Sequence, residues 1–193
     1  MTIACLGWGS LIWRPGDLPI RPPWNDDGPW LPVEFARQSR NTAVSLVLVP
    51  NARPVQTLWV ALDVPSLEDA RYALCQRENP KCTRNARSME IIGYWSAAAR
   101  TDDEFSPVIG EWATQRNLDG VVWTALKPKW NEERGVVPTI EQVLERLRGL
   151  SGEPRDAAER YIRLAPGQVR TSYRERIEAE LAWTYSDKFP QDR

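Results

Sequence analysis

The sequence contains no histidine among its 193 residues. That absence removes the Ser-His-Asp triad, the Cys-His pair, every His metal site and the His general base. An enzyme built from this chain must move protons with a carboxylate, Lys, Tyr or Cys. Cysteine is scarce: Cys5, Cys75 and Cys82 are odd in number and form no CxxC. Without histidine to complete a site, no structural zinc and no other metal is expected. The plain reading of the three is free thiols in a reducing cytoplasm. Neither sign of charge is in surplus, with 25 Lys+Arg against 26 Asp+Glu. A chain so balanced has no general pull on phosphate backbones, and no nucleic-acid partner is expected. No run of about 18 apolar residues occurs, so no membrane-spanning helix is expected. Met1-Thr2-Ile3-Ala4-Cys5-Leu6 lacks a basic stretch and meets Gly7 early. No signal peptide is expected, which suits a cytoplasmic location.

What is present is an ordinary globular balance, 42% hydrophobic and 26% charged, with an unusual 10 Trp. The length suits a single domain spanning residues 1–193, with a sizeable core. Thr2–Leu6, Val33–Ala36, Ser45–Val49, Thr57–Val64, Glu90–Trp95 and Gly120–Leu126 read as strands. Ser45–Val49 and Thr57–Val64 flank the turn-like Pro50-Asn51-Ala52-Arg53-Pro54 and look like a strand pair. Residues 14–32, rich in proline and holding Asp26-Asp27-Gly28, read as a long structured loop. Ser66 can cap a helix that runs to about Glu78, because Asn79 precedes Pro80. Thr139 with Gln142 has the capping-box pattern, and Ile140, Val143, Leu144 and Leu147 form one stripe behind it. Pro154 suits the first turn of a helix ending near Ala165, and Ser172 with Glu175 can open a last one. Strands come first and helices last, most clearly from about residue 135, which points to an α+β class.

The first strand runs into Gly7-Trp8-Gly9-Ser10-Leu11-Ile12-Trp13-Arg14-Pro15-Gly16. Glycines after a strand let a ligand approach backbone N–H groups. A dinucleotide fingerprint would need a third glycine where Ile12 stands, and no Gly-Lys-Ser/Thr follows for a phosphate loop. The segment resembles the N-terminal signature of the γ-glutamylcyclotransferase superfamily. It is most similar to the glutathione-specific, ChaC-like branch, whose loop reads Gly-Tyr-Gly-Ser-Leu-Ile-Trp before a basic residue and Pro. Trp8 stands where that branch has Tyr. The resemblance implies a small mixed β-barrel with flanking helices, and a loop whose Trp8, Gly9, Ser10 and Leu11 hold a γ-glutamyl group. No cofactor is implied, and the implied partner is a small γ-glutamyl substrate.

A second segment carries the same resemblance. Thr57–Leu62, then Leu67 and Leu74, then Arg77-Glu78 resembles the family's strand-helix unit, which ends in Arg-Glu with Glu as the catalytic base. The implied base is Glu78. Periodicity bears on the same residue: Leu67, Ala70, Leu74 and Glu78 fall at i, i+3, i+7 and i+11, on the apolar face of the helix. Burial there, at a helix C-terminus, is expected to disfavour the charged form and raise the pKa. The bland alternative is a Glu on a frayed last turn, paired with Arg77 or Lys81.

The resemblance implies cyclisation of the γ-glutamyl group of an amide or peptide, glutathione among the candidates, to 5-oxoproline with release of the amine. It covers roughly residues 1–80. After Glu78 the branch continues with Gly-Tyr, whereas Asn79-Pro80-Lys81 follows here. The Trp8 and Asn79 departures keep an alternative in view, a non-catalytic binding or interaction module on the same fold. Arg77, Lys81, Arg84 and Arg87 form a basic stretch that suits substrate carboxylates or a solvated loop. Arg37 and Arg40 follow a strand, with no role assigned. Trp59 and Trp123 read as core. Trp13, Trp24 and Trp30 read as a rim. Cys5 and Cys75 read as buried small side chains.

Overall fold

The computed structural model describes residues 1–39 and 42–186, so Arg40 lies outside the described residues. In chain order these form β1 (Ile3–Gly7), β2 (Ile20–Asn25), β3 (Trp30–Leu31), β4 (Val33–Ser39), β5 (Ala43–Leu48), β6 (Val55–Gln56), β7 (Leu58–Leu62), α1 (Leu67–Glu78), α2 (Ala86–Met89), β8 (Ile92–Ser96), α3 (Ser106–Gln115), β9 (Gly120–Thr124), β10 (Lys129–Trp130), β11 (Glu133–Arg134), α4 (Ile140–Arg148), α5 (Gly152–Leu164) and α6 (Ser172–Leu181). The class is α+β. Among the described residues the main strands form two open sheets, in the orders β2-β7-β1-β9-β8 and β11-β10-β4-β5, and no closed barrel. The chain divides into two compact units. One comprises Met1–Gly7, Arg14–Leu31 and Gln56–Leu126; the other takes in Trp8–Trp13 and the described residues of Pro32–Val55 and from Lys127 onward.

The first unit is built on the five-stranded sheet. Its central strand β1 runs antiparallel to β7 and parallel to β9, and all five of its residues are buried. A strand covered on both faces needs an unbroken apolar run, and Ile3-Ala4-Cys5-Leu6 supplies it. Helix α1 lies on one face, with Leu67 against Gly120 and the Arg71 guanidinium 3.9 Å from the Tyr94 ring. Helix α3 lies on the opposite face, where the Trp95 indole rests on Gly110. The proline-rich segment is not only a loop. Ile20–Asn25 pairs with β7 as the outermost strand, the place where a chain with prolines, and so with few donors, can join a sheet. The Asp27 carboxylate ties this segment down, accepting from Trp59 Nε1 and Arg116 Nη2, both at 2.7 Å. Those bonds hold its pKa below the ordinary value.

Two glycines explain where two of the tryptophans fit. A Cβ added to Gly93 would lie 2.2 Å from the ring of its cross-strand partner Trp123, which is fully buried. One added to Gly110 would lie 2.3 Å from Trp95 Nε1. A rigid indole cannot yield as a flexible side chain does. Gly93→Ala is therefore expected to cost about 1–3 kcal/mol by overpacking, read as a lower denaturant midpoint.

In the second unit β4 and β5 form an antiparallel pair and β10 joins β4 in parallel. The pairing expected between Ser45–Val49 and Thr57–Val64 is not made. β5 pairs with β4, while β7 pairs with β1 and β2. Both runs are apolar enough to be central in either sheet, and periodicity cannot choose a partner. Asn131 and Glu132 both take positive φ, which closes the β10–β11 hairpin as a two-residue turn. Helix α4 carries the full capping box on Thr139 and Gln142, as its sequence implies.

Glu34, buried on β4, accepts from the N–H groups of Phe35 at 2.8 Å and Tyr173 at 3.1 Å, which links β4 to the start of α6. Burial pushes its carboxyl up, opposed by bonds from Thr171, Phe35 and Tyr173 and by the charge of Arg53. A raised carboxyl favours the fold in its protonated form. That stabilisation is complete below the unfolded pKa of about 4.5 and fades as the pH rises through the folded value. Glu34→Gln should remove this slope. Unfolding free energies of the two proteins, measured from pH 4 upward, should diverge in that window by at most about 1.4 kcal/mol per pH unit.

Candidate functional site

Ser66 starts α1 as its sequence implies, its hydroxyl accepting from Asp69 N–H at 3.1 Å. From that start the 3.6-residue period carries Ala70, Leu74 and Cys75 into the core and brings Glu78 to the edge of the same face. The Glu78 side chain is 15% exposed and the adjacent Arg77 14%. Arg77 Nη1 donates to Glu78 Oε1 at 2.6 Å, while its Nη2 donates to the carbonyl of Arg14 at 2.9 Å. Thr124, at the end of β9, donates its hydroxyl to Glu78 Oε1 at 3.4 Å. The frayed, solvated Glu is therefore not what forms. The pairing with Arg77 that belongs to the bland alternative does form, and it is largely out of water.

This arrangement joins two of the segments singled out in the sequence. Arg14-Pro15-Gly16 ends the glycine-rich stretch and Arg77-Glu78 ends the helix, and both lie in the first unit. Gly16, with φ +60°, brings its backbone against the Arg77 side chain. Thr124 and the Arg14 carbonyl were not anticipated. Nothing in their local pattern marks them, because their role comes from where β9 and the 14–16 turn meet the helix end.

Cys5 sits on β1, wholly buried. Burial, and after it the Glu78 carboxylate, push its thiol up, and Arg77 opposes this only in part. It stays protonated at neutral pH and cannot serve as a nucleophile. The other two cysteines are not free thiols. Cys75 and Cys82 form a disulfide, with Cα atoms 5.9 Å apart. The sequence reading failed because the turn after α1 doubles the chain back: Cys82 N–H donates to the Asn79 carbonyl at 2.8 Å. A spacing of seven residues carries no signature of that reversal.

The loop residues Trp8, Gly9, Ser10 and Leu11 belong to the second unit. Trp8 is buried, and its indole N–H donates to the Leu46 carbonyl at 3.4 Å. The Leu46 N–H donates to the Tyr161 hydroxyl at 3.2 Å. Two aromatic side chains thus satisfy the backbone of an outermost strand, where ladder partners run out. Trp8 in place of Tyr has a structural task here, and its backbone amide is not spent on it. A Cβ on Gly9 would lie 2.7 Å from the Tyr161 oxygen, so the close packing of this loop demands glycine. The Gly9 carbonyl accepts from Ile12 N–H at 3.0 Å and closes a turn over Ser10 and Leu11. Tyr161, from α5, also meets Trp13 edge-on at 5.6 Å. It is the residue that the sequence offered no means of linking to this loop.

The basic stretch after α1 is mixed in use. Arg84 pairs with Asp69 at 2.8 Å and lies over the Tyr72 ring, whereas Lys81 and Arg87 are exposed. Arg37 donates to the Lys127 carbonyl at 2.7 Å. Among the described residues no cluster of three or more Cys, Asp or Glu could hold a metal ion, and no helix is long and apolar enough to cross a membrane.

Comparison with known proteins returns nothing: no family model, no curated protein and no solved structure matches the chain.

Proposed function

We propose that the protein is a γ-glutamylcyclotransferase-like enzyme with Glu78 as its general base. The observation that carries this reading is the Arg77-Glu78 pair, held largely out of water at the end of α1 with Arg77 bound to the carbonyl of Arg14. Of the first segment that carries the resemblance, Arg14 and Gly16 lie against Arg77. The barrel architecture of the family belongs to this proposal and not to the described fold.

In the proposed reaction the α-ammonium of a γ-glutamyl amide gives a proton to the Glu78 carboxylate. The freed amine attacks its own γ-carbonyl and closes the lactam ring of 5-oxoproline. Glu78 returns the proton to the leaving amine. Attack within one molecule needs positioning more than activation, and a folded-back substrate supplies a high effective concentration. Arg77 orients the carboxylate and offsets its charge.

The test is a panel of γ-glutamyl amides and peptides, glutathione included, with 5-oxoproline as the measured product. Product from one or more members supports the reading. No product from any member favours the alternative, a binding or interaction module, to which the Trp8 and Asn79 departures point.

A further inference from the structure

We propose that the Cys75–Cys82 disulfide is a reversible redox clamp on the turn that carries Glu78. The two sulfurs enclose residues 76–81, so the Arg77-Glu78 pair lies inside the covalent ring. Apart from that ring the helix end is held by side chains, Arg77 on the Arg14 carbonyl and Glu78 on the Thr124 hydroxyl, while its backbone lacks a left-handed cap. Asn79, at φ −145° and ψ 104°, is extended and not left-handed, and its N–H returns one bond, to the Cys75 carbonyl at 2.8 Å. The carbonyls of a last turn that lacks a left-handed cap are poorly satisfied, and such ends fray. The disulfide opposes fraying by holding Cys82 against the helix.

Both redox states have a place in the fold. Cys75 Sγ lies 3.2 Å from the Ser88 carbonyl, and Cys82 Sγ lies 3.5 Å from the Thr83 carbonyl. In the disulfide neither sulfur carries a hydrogen. After reduction each thiol finds an acceptor already in position, so no buried donor is orphaned. Asn79, Pro80 and Lys81 on one side and Thr83 to Arg87 on the other are exposed. A reductant reaches the buried sulfurs through opening of this one covering layer, without unfolding the sheet. In the exchange a dithiol attacks one sulfur and passes through a mixed disulfide. It leaves as its own cyclic disulfide, and Cys75 and Cys82 gain two electrons and two protons. A small-molecule disulfide reverses the step.

For its effect on catalysis the clamp rests on the reading of Glu78 as base, but its existence does not. The experiment treats the native full chain with dithiothreitol, counts alkylated thiols by intact mass, and follows amide exchange by peptide. Reduction is expected to expose two alkylatable thiols and to speed exchange in residues 76–82 by about tenfold, leaving β1 unchanged. Reoxidation should restore protection. Cys82→Ser should match the reduced chain and ignore dithiothreitol, and it leaves Cys75 its Ser88 acceptor. Exchange that stays the same on full reduction overturns the clamp. So does a disulfide that reduces only when β1 also opens. 5-Oxoproline formation, followed in parallel, should fall on reduction and recover on reoxidation. If the oxidised chain forms no product from any amide, the base assignment fails, and amide exchange still decides the clamp.

Discussion

Glu78→Gln should lower 5-oxoproline formation by about 100- to 10,000-fold, the range that a positioned acid-base group contributes. Gln keeps the shape and one acceptor oxygen, so Arg77 can still donate to position 78. What is lost is the capacity to take a proton from the substrate ammonium. The loss should therefore appear in kcat, with thermal unfolding close to that of the parent. Glu78→Asp separates proton transfer from mere negative charge. It keeps the carboxylate but withdraws it by one methylene, and a displacement of about 1 Å costs on the order of 100-fold. If Asp retained full activity, charge alone would suffice. If Gln retained full turnover, Glu78 would not be the base. Arg77→Met is a third arm. It removes the side chain that bonds both Glu78 and the Arg14 carbonyl, and an effect on rate with Glu78 intact would mark Arg77 as a positioning residue.

The parts of the fold that were legible in the sequence are those governed by local chemistry. Ser66 and Thr139 mark helix starts because a side-chain oxygen satisfies an N–H within three residues, and neither signal needs a partner elsewhere. The last helix begins at Ser172 as expected, but its cap is the residue before, Thr171, whose hydroxyl accepts from Arg174 N–H. Helix α3 was missed, although its signals are also local: Asp103 accepts from Phe105 and Ser106 N–H, and Pro107 sits in the first turn. The short run of residues between Asp103 and Gly120 has a weak apolar stripe, and a Gly at position 110 argues against a helix unless the indole stacked on it is known. Strand β2 was hidden by its prolines, which are tolerated only because the strand is outermost. Strand partners, the disulfide and the Leu46 bonds of Trp8 and Tyr161 depend on which distant segments meet, and no local pattern records that. The candidate site divides the same way. The helix face placed Glu78 at a buried edge correctly, while Thr124 and the Arg14 carbonyl required the fold.

Arg174→Met should be the most destabilising of the substitutions considered, at about 3–5 kcal/mol, the range for breaking a buried ion pair from one side. Arg174 stands among the charged residues Glu175 and Arg176, yet its side chain is wholly buried. Its Nε donates to Glu178 Oε1 at 3.0 Å. Its Nη1 donates to the carbonyls of Pro166 at 2.7 Å and Val169 at 3.1 Å, and its Nη2 to that of Ile162 at 3.4 Å. These carbonyls sit where α5 ends and the chain turns into α6, so one guanidinium satisfies a helix terminus that has few other donors. Burial lowers the Arg174 pKa, but a guanidinium stays charged at any pH the protein survives. Met fills much of the volume and supplies no donor: the Ile162 and Val169 carbonyls lose their guanidinium bonds, Pro166 keeps the Val169 N–H at 3.0 Å, and Glu178 keeps only Arg170 at 3.2 Å. Arg174→Met with Glu178→Leu tests which loss dominates. If the stranded carboxylate is the main cost, the double variant should recover most of the stability, because an apolar pair often replaces a buried ion pair without penalty. If the carbonyls dominate, recovery should be slight, since neither new side chain can donate. Arg170 still pairs with Glu178 in the single variant, so the carboxylate is not fully stranded; this favours the second result, and chemical denaturation of the two variants beside the parent decides between them.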